Sequence, residues 1–199
     1  MKYEKSLYWM RRDLRLTDNK ALFYACKNSK KVYITFIFDI NILNKLKNKK
    51  DSRVEFIFNS LLAINQQLKK QNSQLIILHG NPVELIPSMT KKLNFSAVFV
   101  NEDYENYAKK RDQMIHKKLN KQKVSFLPFK DHVIFKALEI SKKDGTAYRV
   151  FTPYKKIWLK NLQSDKHLKK YDPNLKKLSS YKNKIPKIEK LEDLDFQKT

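Results

Sequence analysis

The sequence predicts an α/β fold: a doubly wound, Rossmann-like five-stranded parallel sheet with helices on both faces, followed by an irregular connector and an interface helix. Three observations carry this expectation. Apolar runs of strand length recur through residues 1–130. Between them, apolar residues repeat at i, i+3, i+4, i+7 spacing, the mark of an amphipathic helix. Several of the runs are continuously apolar, as strands covered on both faces must be.

The first strand is expected over 6–10 and runs into Arg11, Arg12, Asp13, Arg15 and Asp18. A buried strand here meets an exposed edge where charges pair. Thr17 is the expected N-cap of a helix over 18–27, with Asp18 in its first turn favoured by the helix dipole. Cys26 falls on that helix's apolar stripe with Ala21, Leu22 and Ala25, which reads as core rather than nucleophile. A second strand over 32–38 leads to Asp39, and Val54, Ile57, Phe58, Leu61, Leu62 and Leu68 mark the next helix. The third strand, 74–78, is followed by His79 and Gly80, with Pro82 opening a helix. The fourth strand is 97–101. Tyr107, Ala108, Arg111, Met114, Ile115 and Leu119 form a helical stripe with one charge in it, and the fifth strand is 124–128. Beyond Pro128 the chain reads as an irregular connector over 129–152, a helix over 153–162, and a lysine-rich stretch from Ser164 with little of its own to bury. Residues 1–130 are therefore expected as the α/β domain and 131–199 as a connector. A sheet of this kind binds ligands at the carboxyl ends of its strands. Residues 11–15, Asp39, His79, Gly80 and 101–105 all fall on that edge. A neutral, backbone-satisfied His79 is the competing reading to a ligand contact there.

Composition excludes more than it selects. With only Gly80 and Gly145, neither a Gly-x-Gly-x-x-Gly fingerprint nor a Gly-rich P-loop can be written. His79, His116, His132 and His167 are dispersed, a single cysteine forbids a Cys-rich zinc site, and no metal site is expected. No Gly-x-Ser-x-Gly elbow is present. No apolar run approaches the ~20 residues that span a bilayer. The start lacks an apolar signal-peptide core, so a cytoplasmic protein is expected. The net charge of +23 favours polyanions. All but six of the basic residues are lysine, however. Arginine is the residue that reads phosphate bidentately, and a Lys/Asn/Ile-rich chain also arises from an AT-rich genome without selection for a ligand.

Six segments, in order, resemble one family. They are Leu7-Tyr8-Trp9-Met10-Arg11-Arg12-Asp13-Leu14-Arg15-Leu16-Thr17-Asp18-Asn19-Lys20-Ala21-Leu22; Phe36-Ile37-Phe38-Asp39-Ile40-Asn41-Ile42-Leu43; Ser52-Arg53-Val54 with Phe58 and Leu61; His79-Gly80-Asn81-Pro82; Asn101-Glu102-Asp103-Tyr104-Glu105-Asn106-Tyr107-Ala108-Lys109-Lys110-Arg111-Asp112; and Tyr148-Arg149-Val150-Phe151-Thr152-Pro153-Tyr154-Lys155. Together they resemble the N-terminal domain of DNA photolyases and cryptochromes. The resemblance implies an antenna domain that holds a light-harvesting chromophore over 1–130. Residues 131–199 would lead toward a helical FAD domain absent from this chain. It implies a deoxyribodipyrimidine photolyase that repairs pyrimidine dimers in damaged DNA with light, without a membrane, and with no complete catalytic site in these residues. Trp9 is then strand core and Trp158 lies on the interface helix; neither is an electron-transfer tryptophan. A cryptochrome-type light-signalling fragment, a stand-alone basic nucleic-acid-binding α/β protein and a functionless gene remnant are the rival readings.

Folate-binding members carry an Asn-Glu pair where this chain has Tyr107-Ala108. The resemblance therefore favours 8-hydroxy-deazaflavin or FMN over methenyltetrahydrofolate as the antenna pigment. Arg53, Asp103 and Glu105 match the arginine and carboxylate pair of such members, with Asp39 beside them. Carboxylates accept the imide N–H of a flavin-like ring, and a guanidinium binds phenolic or phosphate oxygens. Met10, Arg11, Phe38 and Leu43 would line the rest of the site. Read from the residues alone, Arg53 is equally a neighbour of Glu55 on a solvated helix start, and Glu105 a helix-start acid. Arg12, Asp13 and Arg15 are expected to fix the strand-to-helix corner or bridge to the missing domain. Tyr148, Phe151, Tyr154 and Trp158 are expected as partly exposed interface aromatics.

Overall fold

The computed structural model describes residues 1–181 and 188–199. Its centre is one parallel sheet of β1 (Tyr3–Met10), β2 (Ser29–Asp39), β3 (Leu75–Gly80), β4 (Ala97–Asn101) and β5 (Ser125–Phe129), in the order β3-β2-β1-β4-β5. The register sets Leu7 beside Tyr33 on one side and Val98 on the other. β1 is the middle strand, so its last residues open onto the crevice where the strand order reverses. The expected strands all form. β1 and β2 begin three residues earlier than their apolar runs, because Tyr3 and Ser29 pair although Lys30 and Lys31 stay exposed.

Alternation along the strands sends Tyr8, Met10, Ile34, Phe36 and Phe38 to one face. They pack there on α1 (Lys20–Asn28) and α3 (Ser52–Lys69). Leu7, Trp9, Tyr33, Ile37 and Val98 point the other way, onto α4 (Pro82–Leu93) and α5 (Asn106–Lys121). A single turn, α2 (Ile40–Leu43), follows β2, capped by the Asp39 carboxylate, which accepts from Asn41 N at 3.0 Å. Pro82 opens α4 as the sequence predicts. Gly80 makes this possible: its φ is +153°, and a Cβ there would meet Leu85 Cδ1 at 2.8 Å.

Two expectations are corrected. The first helix is capped by Asn19 rather than Thr17. Asn19 Oδ1 accepts from Leu22 N, and Asp18 sits outside the helix at φ 45°, not in its first turn. The chain needs those extra residues to carry the corner before the helix can start. The second correction concerns the stretch from Ser164. It does bury side chains: Leu178, Leu191, Leu194 and Phe196 join the α1/α3 core. Leu178 bridges Val32, and Ser179 N donates to the Val32 carbonyl at 2.9 Å. Ile188 N donates to the Ile77 carbonyl on the otherwise open edge of β3. Each buried Leu or Phe contributes roughly 1.5–3 kcal/mol of transfer free energy, enough to hold a polar-looking tail. Residues 182–187 of the expected connector lie outside the described residues.

Between β5 and α6 (Phe151–Asn161) the chain is irregular, as expected, and α7 (Ser164–His167) is one further turn. No residue of α6 is buried. Phe151 is 71% exposed; Tyr148, Tyr154 and Trp158 are half-buried, with Trp158 edge-on to Phe135 at 5.5 Å.

Candidate functional site

The charged run after β1 separates into a buried network and a cleft. Asp13 is 1% exposed, and it accepts hydrogen bonds from Arg11 N (2.8 Å), Tyr8 Oη, Asn19 Nδ2 (3.1 Å) and Asn101 Nδ2 (2.5 Å). Asn101 also accepts from Ala21 N at 3.0 Å, so the end of β4 is stitched to the start of α1 through the corner. Burial, and then the Asp13 charge, push the Tyr8 phenol well above its ordinary value, which keeps it a donor. Arg15 donates to the Asp18 carbonyl and to Asp131, and Asp131 also takes Lys20 N at the head of α1.

The cleft is a cavity of about 480 Å³ at the carboxyl ends of β1, β2 and β4. Seven of the eight expected ligand-side residues line it: Arg11, Phe38, Asp39, Leu43, Arg53, Asp103 and Glu105. Met10 does not; it is fully buried in the α1/α3 core, while Trp9 from the other face of β1 and Phe36 and Phe38 from Met10's own face reach the wall. Arg12 joins the wall from the corner and reaches across to Glu105 (2.7 Å) and Asp103 (3.5 Å). Phe36, Ile57, Leu46 and Leu14 supply apolar surface. His79 lies outside the cavity, in a separate groove beside α4. Cys26 is core, its thiol pushed up to about 12 by burial.

The polar wall is internally paired. Arg111, from α5, donates to Asp39 at 3.4 Å and to Asp112 at 3.3 Å. Tyr107 Oη donates to Asp39 at 2.7 Å. Burial and then that bond raise the Tyr107 phenol to about 12. Arg11 gives Asp112 two bonds, at 2.8 and 2.9 Å, and a third to the Asn101 carbonyl. Its Nε is buried with no partner among the described residues. Arg53 pairs with Asp51, the cap of its own helix, at 2.5 Å rather than with Glu55. Glu105 immediately precedes α5 and turns its carboxylate to Arg12 instead of capping the helix. In the sequence Arg111 is only a charge in a helical stripe and Trp9 only a core residue. Both are on the wall, and the charge inside an apolar stripe was the signal available for Arg111.

A cavity of this size can hold a small organic ligand. Its polar groups are a half-buried Asp103 and an exposed Glu105 carboxylate that can accept N–H bonds, the Arg12 and Arg53 guanidiniums that can bind anionic oxygens, and an unsatisfied Arg11 Nε in the wall.

The DNA photolyase family model matches residues 6–174. A deoxyribodipyrimidine photo-lyase of Synechococcus is 31% identical over 152 residues, 76% of this chain and 31% of that protein. An uncharacterized 31.6 kDa protein of another Synechococcus strain is 30% identical over 158 residues, 79% of this chain and 55% of that one. Among solved structures, an archaeal photolyase from Sulfolobus tokodaii, described with two FAD molecules and the implication of a novel light-harvesting cofactor, superposes with a TM-score of 0.65. It is 30% identical over 76% of this chain and 34% of that one. A class III photolyase from Agrobacterium tumefaciens shares the fold at a TM-score of 0.80 and 24% identity, covering 97% of this chain and 38% of the other. The chain thus spans between about a third and about half the length of these curated relatives. A family model that covers most of the sequence, and a sheet of matching topology, lead to one conclusion: the chain belongs to the DNA photolyase family and carries the α/β fold of its N-terminal domain.

Proposed function

We propose that this domain is a light-harvesting antenna that holds a flavin-like pigment, 8-hydroxy-deazaflavin or FMN in preference to methenyltetrahydrofolate, in the cavity at the carboxyl edge of its sheet. The observation that carries the reading is the convergence on one 480 Å³ cavity of Arg53, Asp103 and Glu105 from two separate segments, with Phe38, Leu43 and Ile57 as apolar walls. Asp103 and Glu105 would accept from ring N–H groups, and Arg53 would bind a phosphate or phenolate in exchange for Asp51. Such a pigment absorbs light and passes the excitation on. The residues of this chain bind it, orient it and exclude water from its faces; they perform no bond chemistry.

In the full-length protein this antenna would serve a helical FAD domain that splits pyrimidine dimers in damaged DNA, in the cytoplasm. Residues 131–199 would form the link toward that domain, and the exposed face of α6, with Phe151, Tyr154 and Trp158, would be the surface that meets it. The names of the photolyase relatives support this reading. Among the described residues no helix is long and apolar enough to cross a membrane. Reconstitution with 8-hydroxy-deazaflavin, FMN and methenyltetrahydrofolate in turn, followed by absorption and emission, tests the proposal. Saturable binding of a flavin-like ring that is weakened by Arg53→Ala and Asp103→Asn is expected. Binding of the folate alone overturns the pigment assignment.

A further inference from the structure

Trp9 is the indole on the cavity wall, and two cations lie over it. The guanidinium carbons of Arg11 and Arg111 are each 4.8 Å from its ring centroid. All three side chains are buried, so the charges act with little screening by water. Neither arginine is free to leave. Arg11 is fixed by Asp112 and the Asn101 carbonyl, and Arg111 by Asp39 and Asp112. A cation over an indole is attracted to its electron-rich face. The same contact opposes removal of an electron from that face, because oxidation would set a third positive charge beside two fixed ones. Asp39 and Asp112 offset part of the field, yet it is the guanidiniums that stand over the ring.

We infer that Arg11 and Arg111 make Trp9 resistant to oxidation, so that the cavity wall does not drain the excited state of the pigment it holds. The consequence for light harvesting rests on the antenna reading above; the effect on Trp9 does not. Indole is readily oxidised, and an excited flavin-like ring is a strong oxidant. In the unwanted step one electron leaves the Trp9 π system for the excited ring, giving an indole radical cation and a one-electron-reduced pigment. The electron then returns in the dark, and the excitation is lost as heat. No other oxidant or reductant enters. The pairing with Asp39 and Asp112 explains how the arginines can be buried; their position over Trp9 has this second effect.

The test uses the full chain carrying Trp158→Phe, which leaves Trp9 as its only tryptophan. Voltammetry reads the oxidation potential of Trp9 without any pigment, and the emission lifetime of added FMN reads the quenching. Arg111→Met is combined with Asp39→Asn so that no buried carboxylate loses its cation, and Arg111→Gln is the second variant should that pair not fold. Both are expected to lower the Trp9 potential and to shorten the FMN lifetime severalfold. Trp9→Phe added to either variant should restore the lifetime, and Arg111→Lys should keep both readings close to those of the parent. An unchanged potential after loss of the guanidinium overturns the inference, as does a short lifetime that Trp9→Phe fails to restore. If the potential falls but FMN does not bind, the antenna reading fails and the protection of Trp9 stands.

Discussion

Arg12 and Asp13 are adjacent in the sequence, yet the Arg12 side chain is 60% exposed and Asp13 is 1% exposed. Asp13 is surrounded by donors from β1, the corner and β4, and it organises the turn from the first strand into the first helix. Arg12 leaves the same turn and meets the Asp103 and Glu105 carboxylates of the β4–α5 loop at the mouth of the cavity. The difference teaches that a run of charges at a strand end is not one functional unit. Burial divides it into groups held by several partners in a dry corner and groups whose ion pairs face solvent at the mouth of the cavity.

Asp13→Ala is the substitution most able to break this contrast. It leaves the Tyr8 hydroxyl proton and the Arg11 N–H without their acceptor in a dry site and takes one of several partners from the Asn19 and Asn101 amides, and a loss of about 3–5 kcal/mol is expected from denaturant unfolding. A loss below about 1 kcal/mol would place Asp13 with Arg12. Next comes Asn101→Ala, which removes the tie between β4 and α1 but leaves Asp13 its other donors. About 2 kcal/mol is expected in the same assay. Arg12→Ala should cost less than about 1 kcal/mol, since exposed ion pairs contribute little. It should nonetheless change the dissociation constant for FMN by freeing Asp103 and Glu105, and titration of emission would detect this. The smallest effect concerns the Arg53–Asp51 pair at the start of α3. The hydrogen bond from Arg53 is the largest cause holding the Asp51 carboxyl at about 2, against its ordinary 3.8. Because the folded value is depressed, its contribution is present above the ordinary value and is lost as pH falls through about 2. In Arg53→Ala the Asp51 midpoint, followed by carboxyl NMR, should move up toward 3.8. A midpoint still near 2 would assign the effect to the backbone amides of α3.

The sheet was legible because continuous apolar runs such as 97–101 leave few alternatives to a buried parallel strand. Most of the cavity wall was legible too, since the carboxyl edge of such a sheet is fixed by topology once its strands are placed. What the sequence concealed depends on long-range partners. Asn19 looks no better a cap than Thr17 until Asn101, 82 positions away, is known to donate to it. Arg111 reads as a flaw in a helical stripe until Asp39 and Trp9 arrive from other strands. The tail misled for a related reason: its apolar residues are too sparse to form a core of their own, and they complete one built elsewhere.

That tail ties down both banks of the cavity. Asn19 N donates to the Tyr171 carbonyl and Asp18 N to the Asp172 carboxylate on the corner side. On the other side Gln197 N donates to the Lys49 carbonyl, Lys49 Nζ lies 4.7 Å from the Phe196 ring, and Thr199 N donates to Glu55 in the first turn of α3. During synthesis the two banks therefore wait for residues made long after them, and their final spacing is set by the last contacts to close. Anyone cutting this chain for expression or fusion should keep residues 188–199. A shorter version would retain every residue of the cavity wall and lose the ties on its α3 side.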